Sequence, residues 1–336
     1  MENVTASDIM NSTLAEDVVV NPPNFGFFTP EVMSRFFVVV YAGIYPIIFS
    51  FGIFGNILTL IVLSKENDKS STQWFLVALT SSDLCFLLIY TYYALITDLK
   101  LFTNVDVKYL LSKQFLVLRY AQLPIRNSKF MTAIIVIERV FAVWNPLHVR
   151  SVWTPKRAIY ISLACAVAIV ALTSPTLTPY EVDAAFLNDS NLNTFALALR
   201  EMRLHQSEFE SFHVVTSVIF NILPVIIVVV CNSLIIIGIR RRSGSLKNAV
   251  HQQRVQMENK VTKTLLFISF LYFFLSVPYD ILYLVMILDM EHSVVSLNSN
   301  TARFFIFNAY ILVIINSSIN FIIYVTTNDT YREKYR

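Results

Sequence analysis

Lys129-Phe-Met-Thr-Ala-Ile-Ile-Val-Ile-Glu138-Arg139-Val140-Phe-Ala-Val-Trp-Asn-Pro146-Leu147 reads as an apolar helix that runs into an acid–base pair and then into a proline. Charges are costly inside a bilayer, so a Glu-Arg pair ending a hydrophobic run sits where water begins. This stretch therefore fixes one face of a membrane.

The rest of the chain agrees. Of 336 residues, 55% are hydrophobic and 15% charged, against about 45–50% and about 25% in soluble domains. Mean hydropathy is +0.59. A bilayer core of about 30 Å needs about 20 apolar residues per helix. Seven stretches qualify, over 36–63, 74–96, 115–143, 158–177, 212–239, 261–288 and 304–325. The runs are continuous rather than alternating, which favours helices over strands. The fold class expected is an all-α membrane protein, a seven-helix bundle.

Orientation follows from charge. Lys65 and Lys69 follow the first segment, Arg150, Lys156 and Arg157 the third, and Arg240, Arg241, Arg242, Lys247 and Arg254 the fifth, with Lys260 and Lys263 leading into the sixth. By the positive-inside rule these loops are cytoplasmic and the N-terminus is extracellular. Sequons at Asn3, Asn11 and Asn188 fall on the outer side, where sugar is added; Asn328, on the inner side, is expected to stay bare. The domain reading is an extracellular glycosylated segment over 1–35, the bundle over 36–325 and a short cytoplasmic amphipathic helix and tail over 326–336. The first thirty-odd residues are polar and acidic, so the first spanning helix is expected to act as its own insertion signal.

Cys85, Cys165 and Cys231 all lie in apolar segments, so neither a loop disulfide nor a zinc site is expected. The five histidines lack metal-ligand spacing, and a net charge of +3 calls for no nucleic-acid partner. No paired catalytic groups stand at usable spacing, so the chain is not read as an enzyme. The absence of internal repeats counts against a secondary transporter.

Asp83 lies mid-segment, where a carboxylate must face the bundle interior with partners. Gly55-Asn56 and Asn316-Ser-Ser-Ile-Asn320-Phe-Ile-Ile-Tyr324 offer amides and hydroxyls, with Asn316, Ser317 and Asn320 sharing one helix face. Such a set serves either as a hydrogen-bond hub or as a cation-accepting cavity. Pro224 and Pro278 are expected to kink segments five and six.

The order Gly55-Asn56, Leu79…Asp83, Glu138-Arg139-Val140, Pro224, Pro278 and Asn320…Tyr324 resembles the rhodopsin-like (class A) G-protein-coupled receptors. Phe321, where that family usually has proline, makes the last motif similar to invertebrate FMRFamide and myosuppressin receptors. The resemblance implies an allosteric sodium site at Asp83, Ser128, Asn316, Ser317 and Asn320. It implies a G-protein switch at Glu138 and Arg139, with Tyr324 swinging inward and Leu147 docking into the G protein. Residues 328–336 resemble the eighth helix, with Tyr331 and Tyr335 facing the membrane and Arg332, Lys334 and Arg336 facing lipid headgroups. By analogy the ligand cavity is lined by Tyr90, Tyr93, Arg126, His213, Thr216, Tyr279, Asp280, Tyr283, Asn308 and Tyr310; tyrosines combine apolar area with a polar handle.

The chain departs from the family in four places. Gln114 stands near the usual segment-three cysteine, Ser276 replaces the usual aromatic before Pro278 with Tyr272 the nearest substitute, and segment four has no tryptophan. Arg126 and Lys129 put cations inside segment three. Arg126 is expected to pair with Asp280, as a helix tie or as part of the ligand cavity, and Lys129 to approach Asp83 in place of sodium.

The functional expectation is a plasma-membrane receptor for an extracellular ligand, a short amidated neuropeptide, driving nucleotide exchange on a heterotrimeric G protein. The alternative is a chemosensory or small-molecule receptor recognising a polar compound through Arg126 and Asp280, with a transporter third. Membrane lipids are expected partners, as is arrestin, through Ser243 and Ser245.

Overall fold

The computed structural model describes residues 32, 35, 36, 38–65, 69–102, 107–177, 212, 214–243, 249–288 and 300–327. These form seven long helices: α1 Tyr45–Ser64, α2 Ser71–Phe102, α3 Val107–Trp144, α4 Pro155–Leu177, α5 Leu223–Ser243, α6 Ala249–Leu288 and α7 Asn300–Thr327. Among the described residues there is no strand, as expected of a chain whose backbone must satisfy its own hydrogen bonds in lipid. Five helices are apolar and long enough to cross a membrane by composition alone. The other two, α3 and α7, hold much of the buried polar set.

Burial is inverted relative to a soluble bundle. Large apolar side chains such as Ile47, Phe54, Tyr160, Leu163, Val230 and Phe270 are exposed on the outside, while Asn56, Asp83, Arg126, Lys129, Glu138, Asp280 and Asn320 are buried inside. An outer surface of that kind is stable only against lipid.

Two prolines shape their helices through the turn before them. Pro46 and Pro224 each follow a π-helical turn, Val39–Ile44 and Val218–Ile222. A proline ring clashes with the carbonyl four residues back, and the wider turn relieves that clash. In the second case the turn rotates Phe220 and Asn221 into the core, where they are 2% and 3% exposed. Pro278 lies inside α6, and Pro124, which the sequence reading passed over, lies inside α3.

Three clusters of buried apolar residues make the core. One joins Tyr45, Phe86, Tyr90, Ile125, Tyr279 and Ile314; the second Leu63, Phe75, Met131, Ile135 and Ile268; the third Val136, Val143, Val228, Ile235 and Tyr272. Among these buried residues only α3 and α6 contribute to all three clusters. A movement of α6 against α3 must therefore disturb the whole core.

The turn after α3 is tied to α4. Val149–Val152 forms a single helical turn, and Arg157 Nη1 donates to the carbonyls of Ser151 and Val152, both at 2.9 Å. Trp153 packs edge-on against Phe75 and Phe141. These contacts leave Leu147 projecting at 89% exposure. Residues 1–31, 178–211 and 328–336, with the three outer sequons and the expected eighth helix, lie outside the described residues.

Candidate functional site

Three polar layers line α3, one at its C-terminal end and two at nearly the same height on different faces of the helix. At its C-terminal end Glu138, 2% exposed, is held by the first turn of α2. Ser71 Oγ donates to Glu138 Oε1, and Thr72 Oγ1 donates to Oε2 at 2.8 Å. Arg139 Nη2 lies 3.2 Å from Glu138 Oε2 and also donates to Thr72 Oγ1. The Arg139 side chain is 14% exposed, and its Nε has no partner among the described residues. Ser71 and Thr72 escaped the sequence reading; both are ordinary helix-start residues, and only the packing of α2 on α3 reveals them. Tyr324 lies in α7, with its side chain outside the described residues.

In the second layer Asp83 is fully buried. Ser128 Oγ donates to its Oδ1 and Asn320 Nδ2 to its Oδ2, both at 2.7 Å. Asn56 Nδ2 ties α1 to α7 through the Ser317 carbonyl at 2.9 Å and bonds its own helix at Gly52 O. Ser317 is buried and Asn316 half-buried in the same part of α7. The oxygens gathered here, a carboxylate with hydroxyls and amide carbonyls, are the donor set a hard cation prefers.

The third layer differs from the sequence expectation. Lys129, not Arg126, pairs with Asp280, and it also donates to Asn221 Oδ1 at 3.1 Å. Lys129 does not approach Asp83 either. Both differences have one cause: the π-turn delivers Asn221 as a neutral acceptor beside Asp280, and together they hold the ammonium on the α5–α6 side. Arg126 instead turns towards α4, where Nη1 donates to Thr173 Oγ1 at 3.0 Å and the guanidinium faces the Phe220 ring at 5.1 Å. Asp280 Oδ2 has no partner among the described residues.

Beyond this layer lies a tyrosine cluster. Gln122 Nε2 donates to Tyr279 Oη at 3.0 Å, and Tyr279 and Tyr310 share a hydroxyl hydrogen bond of 3.2 Å. Ring centroids lie 4.8 Å apart for Tyr279–Tyr310, 5.9 Å for Tyr279–Tyr283, 5.7 Å for Tyr90–Tyr310 and 5.3 Å for Tyr90–Tyr93. Five of the expected cavity residues thus touch one another. Asn308 bonds its own helix at Phe304 O, Thr216 is buried, and His213 lies outside the described residues. Gln122, Asn221 and Thr173 join the site without having been anticipated.

The sequence profile of the 7 transmembrane receptor (rhodopsin family) matches residues 55–324, from Gly55 in α1 to Tyr324 near the end of α7. The chain belongs to that family. This rhodopsin-family chain is 25% identical to a putative G-protein coupled receptor of Caenorhabditis elegans, over 61% of its own length and 51% of the relative's. It is 23% identical to the FMRFamide receptor of Drosophila melanogaster, over 84% and 50%. It is 25% identical to galanin receptor type 1 of Mus musculus, over 87% and 79%. The rhodopsin-family chain thus spans about half the length of the first two. Its match reaches from α1 to α7, so α3 with its three polar layers lies wholly within the shared region.

Proposed function

We propose that this chain is a plasma-membrane receptor, with its N-terminus outside, that converts binding of an extracellular ligand into nucleotide exchange on a heterotrimeric G protein. The observation that carries this reading is the clasp of Arg139 by Glu138, Ser71 and Thr72, beside the projecting Leu147. The clasp stores a cation at one end of α3 that a change of packing releases. A ligand can shift that equilibrium only through different affinities for the two states. The tyrosine cluster and the Lys129–Asp280 pair join α3, α6 and α7 at the opposite end, where such a difference is felt by α6.

The ligand we assign is a short amidated neuropeptide. The relatives named for FMRFamide and galanin support a peptide, and the tyrosines support aromatic and cationic side chains. A small polar compound is the second reading, favoured by the charged layer of Arg126, Lys129 and Asp280. The receptor in nanodiscs with purified G protein, challenged with amidated peptides and small organic acids, tests both. Peptide-dependent exchange that disappears in Arg139→Ala supports the first; a response to acids alone supports the second. Ligand-gated solute flux in vesicles without G protein overturns both.

A sodium ion fits Asp83, Ser128, Asn316, Ser317 and Asn320 as an allosteric partner, because Lys129 is engaged elsewhere. Its charge would be matched by Asp83. Replacing sodium by choline is then expected to lower the thermal stability of the receptor, and to have no effect in Asp83→Asn.

A further inference from the structure

Matching the buried charges leaves Arg126 over. Arg126, Lys129 and Asp280 are 2%, 2% and 5% exposed, and the one ion pair among them is Lys129–Asp280. Among the described residues Arg126 meets only a neutral hydroxyl, Thr173 Oγ1, and the ring of Phe220. Its Nε has no partner among the described residues. A hydroxyl and a ring do not neutralise a cation, so among the described residues this layer carries one uncompensated positive charge in a low-dielectric interior.

A second unmatched group lies at the same level. Ser217 is 1% exposed, and its Oγ has no partner among the described residues. The helices α3 and α5 run parallel here, since Lys129 meets Asn221 and, further along both, Trp144 Nε1 donates to Leu234 O. Arg126 precedes Lys129 by about one turn, and Ser217 precedes Asn221 by about one turn. Both therefore lie on the same side of the Lys129–Asn221 contact, and the Arg126 guanidinium already faces Phe220 within the turn that Ser217 begins. Two hydrogen-bond donors thus lie where α3, α4 and the start of α5 meet.

We propose that this meeting point of α3, α4 and α5 is an anion-recognition subsite that opens to receive a carboxylate of the extracellular ligand. This rests on the receptor reading above and narrows its ligand. Nη1 is held by Thr173, which leaves the Nε edge of the guanidinium for a two-point contact with a carboxylate, with the Ser217 hydroxyl as a further donor. Asp280 does not fill this role because Lys129 holds it. The carboxylate comes from an acidic side chain of a peptide or from a free organic acid; the chemistry recognised is the same.

The test needs no G protein, so its outcome is separate from that of the exchange assay. Thermal unfolding of the full-length receptor in nanodiscs is followed with two matched probe pairs. These are phenylacetate against phenylacetamide, and N-acetyl-Asp-Phe-amide against N-acetyl-Asn-Phe-amide. At least one acid is expected to raise the unfolding midpoint above its amide, and the pair that responds identifies the source. The advantage is expected to vanish in Arg126→Gln and to need about tenfold more acid in Ser217→Ala. Without probe, Arg126→Met is expected to raise the midpoint, because it removes an unmatched buried cation. If Arg126→Gln does not fold, Arg126→Lys decides instead, since it keeps the charge but loses the two-point contact and with it the advantage. The proposal is overturned if neither acid outperforms its amide, if the advantage survives in the Arg126 variant, or if Arg126→Met lowers the midpoint.

Discussion

Lys129 is a buried cation whose loss the bundle is expected to tolerate poorly. It ties α3 to α6 through Asp280 and to the start of α5 through Asn221, with both charged side chains at most 6% exposed. Removing one member of a buried pair leaves the other uncompensated, at a cost of about 3–5 kcal/mol, whereas apolar replacement of both is often neutral. Lys129→Met is therefore expected to lower the unfolding midpoint sharply, and Lys129→Met with Asp280→Leu to restore most of it. Equal midpoints for the single variant and the parent would refute the assignment. The sequence shows that Arg126, Lys129 and Asp280 are charges in need of partners, but not which cation takes the acid. Three residues apart on a helix, the two cations differ by only about 60° in direction. The choice between them falls to Asn221, which faces the pair because of a π-turn whose only trace in the sequence is Pro224.

At the scale of helices, the apolar runs locate all seven, yet α2, α3 and α6 begin at Ser71, Val107 and Ala249, well before the starts at 74, 115 and 261 that hydropathy gives. The extra turns lie where water can replace lipid, so no apolar residue is needed to extend them. One such turn carries Ser71 and Thr72, and this is why the partners of Glu138 were hidden. A hydrogen bond to a charged group contributes about 1.5–3 kcal/mol. Thr72→Val, which keeps the shape and removes the hydroxyl, is thus expected to shift the resting equilibrium about 10- to 100-fold towards the released Arg139. Agonist-independent nucleotide exchange on a G protein measures this, and exchange no faster than in the parent would count against the clasp. The contact between α1 and α7 is set differently, by absence of side chains. A Cβ on Gly52 would lie 2.3 Å from Ser318 Oγ and 2.9 Å from Leu87 Cδ1, and one on Gly55 2.8 Å from Phe321 Cβ. Gly52→Val is expected to force these helices apart at a cost of about 1–3 kcal/mol, read as a lower unfolding midpoint. Gly43→Val, where nothing lies within 4 Å, provides the control.

At the scale of the molecule, the same polar atoms that are costly in lipid define an axis. Arg139 and the basic residues Arg157, Arg240 and Arg241 gather towards one end of the bundle, and the tyrosine cluster lies towards the other. By the positive-inside rule the first end is expected to be cytoplasmic, because Lys and Arg are retained on the side where the chain is synthesised. The seven-helix fold was legible in the sequence because seven apolar runs suffice for it, and these do not depend on how the helices rotate. The same logic makes a prediction about chemistry far from the core. If the N-terminus is outside, Asn3, Asn11 and Asn188 meet the glycosylation machinery and Asn328 does not. Peptide-N-glycosidase treatment of receptor from eukaryotic cells is then expected to increase its gel mobility. Replacing Asn3, Asn11 and Asn188 together by Gln should abolish that change, and Asn328→Gln should leave it intact. A shift that depended on Asn328 alone would invert the axis, placing the Arg139 clasp on the outer face, where no G protein could reach it.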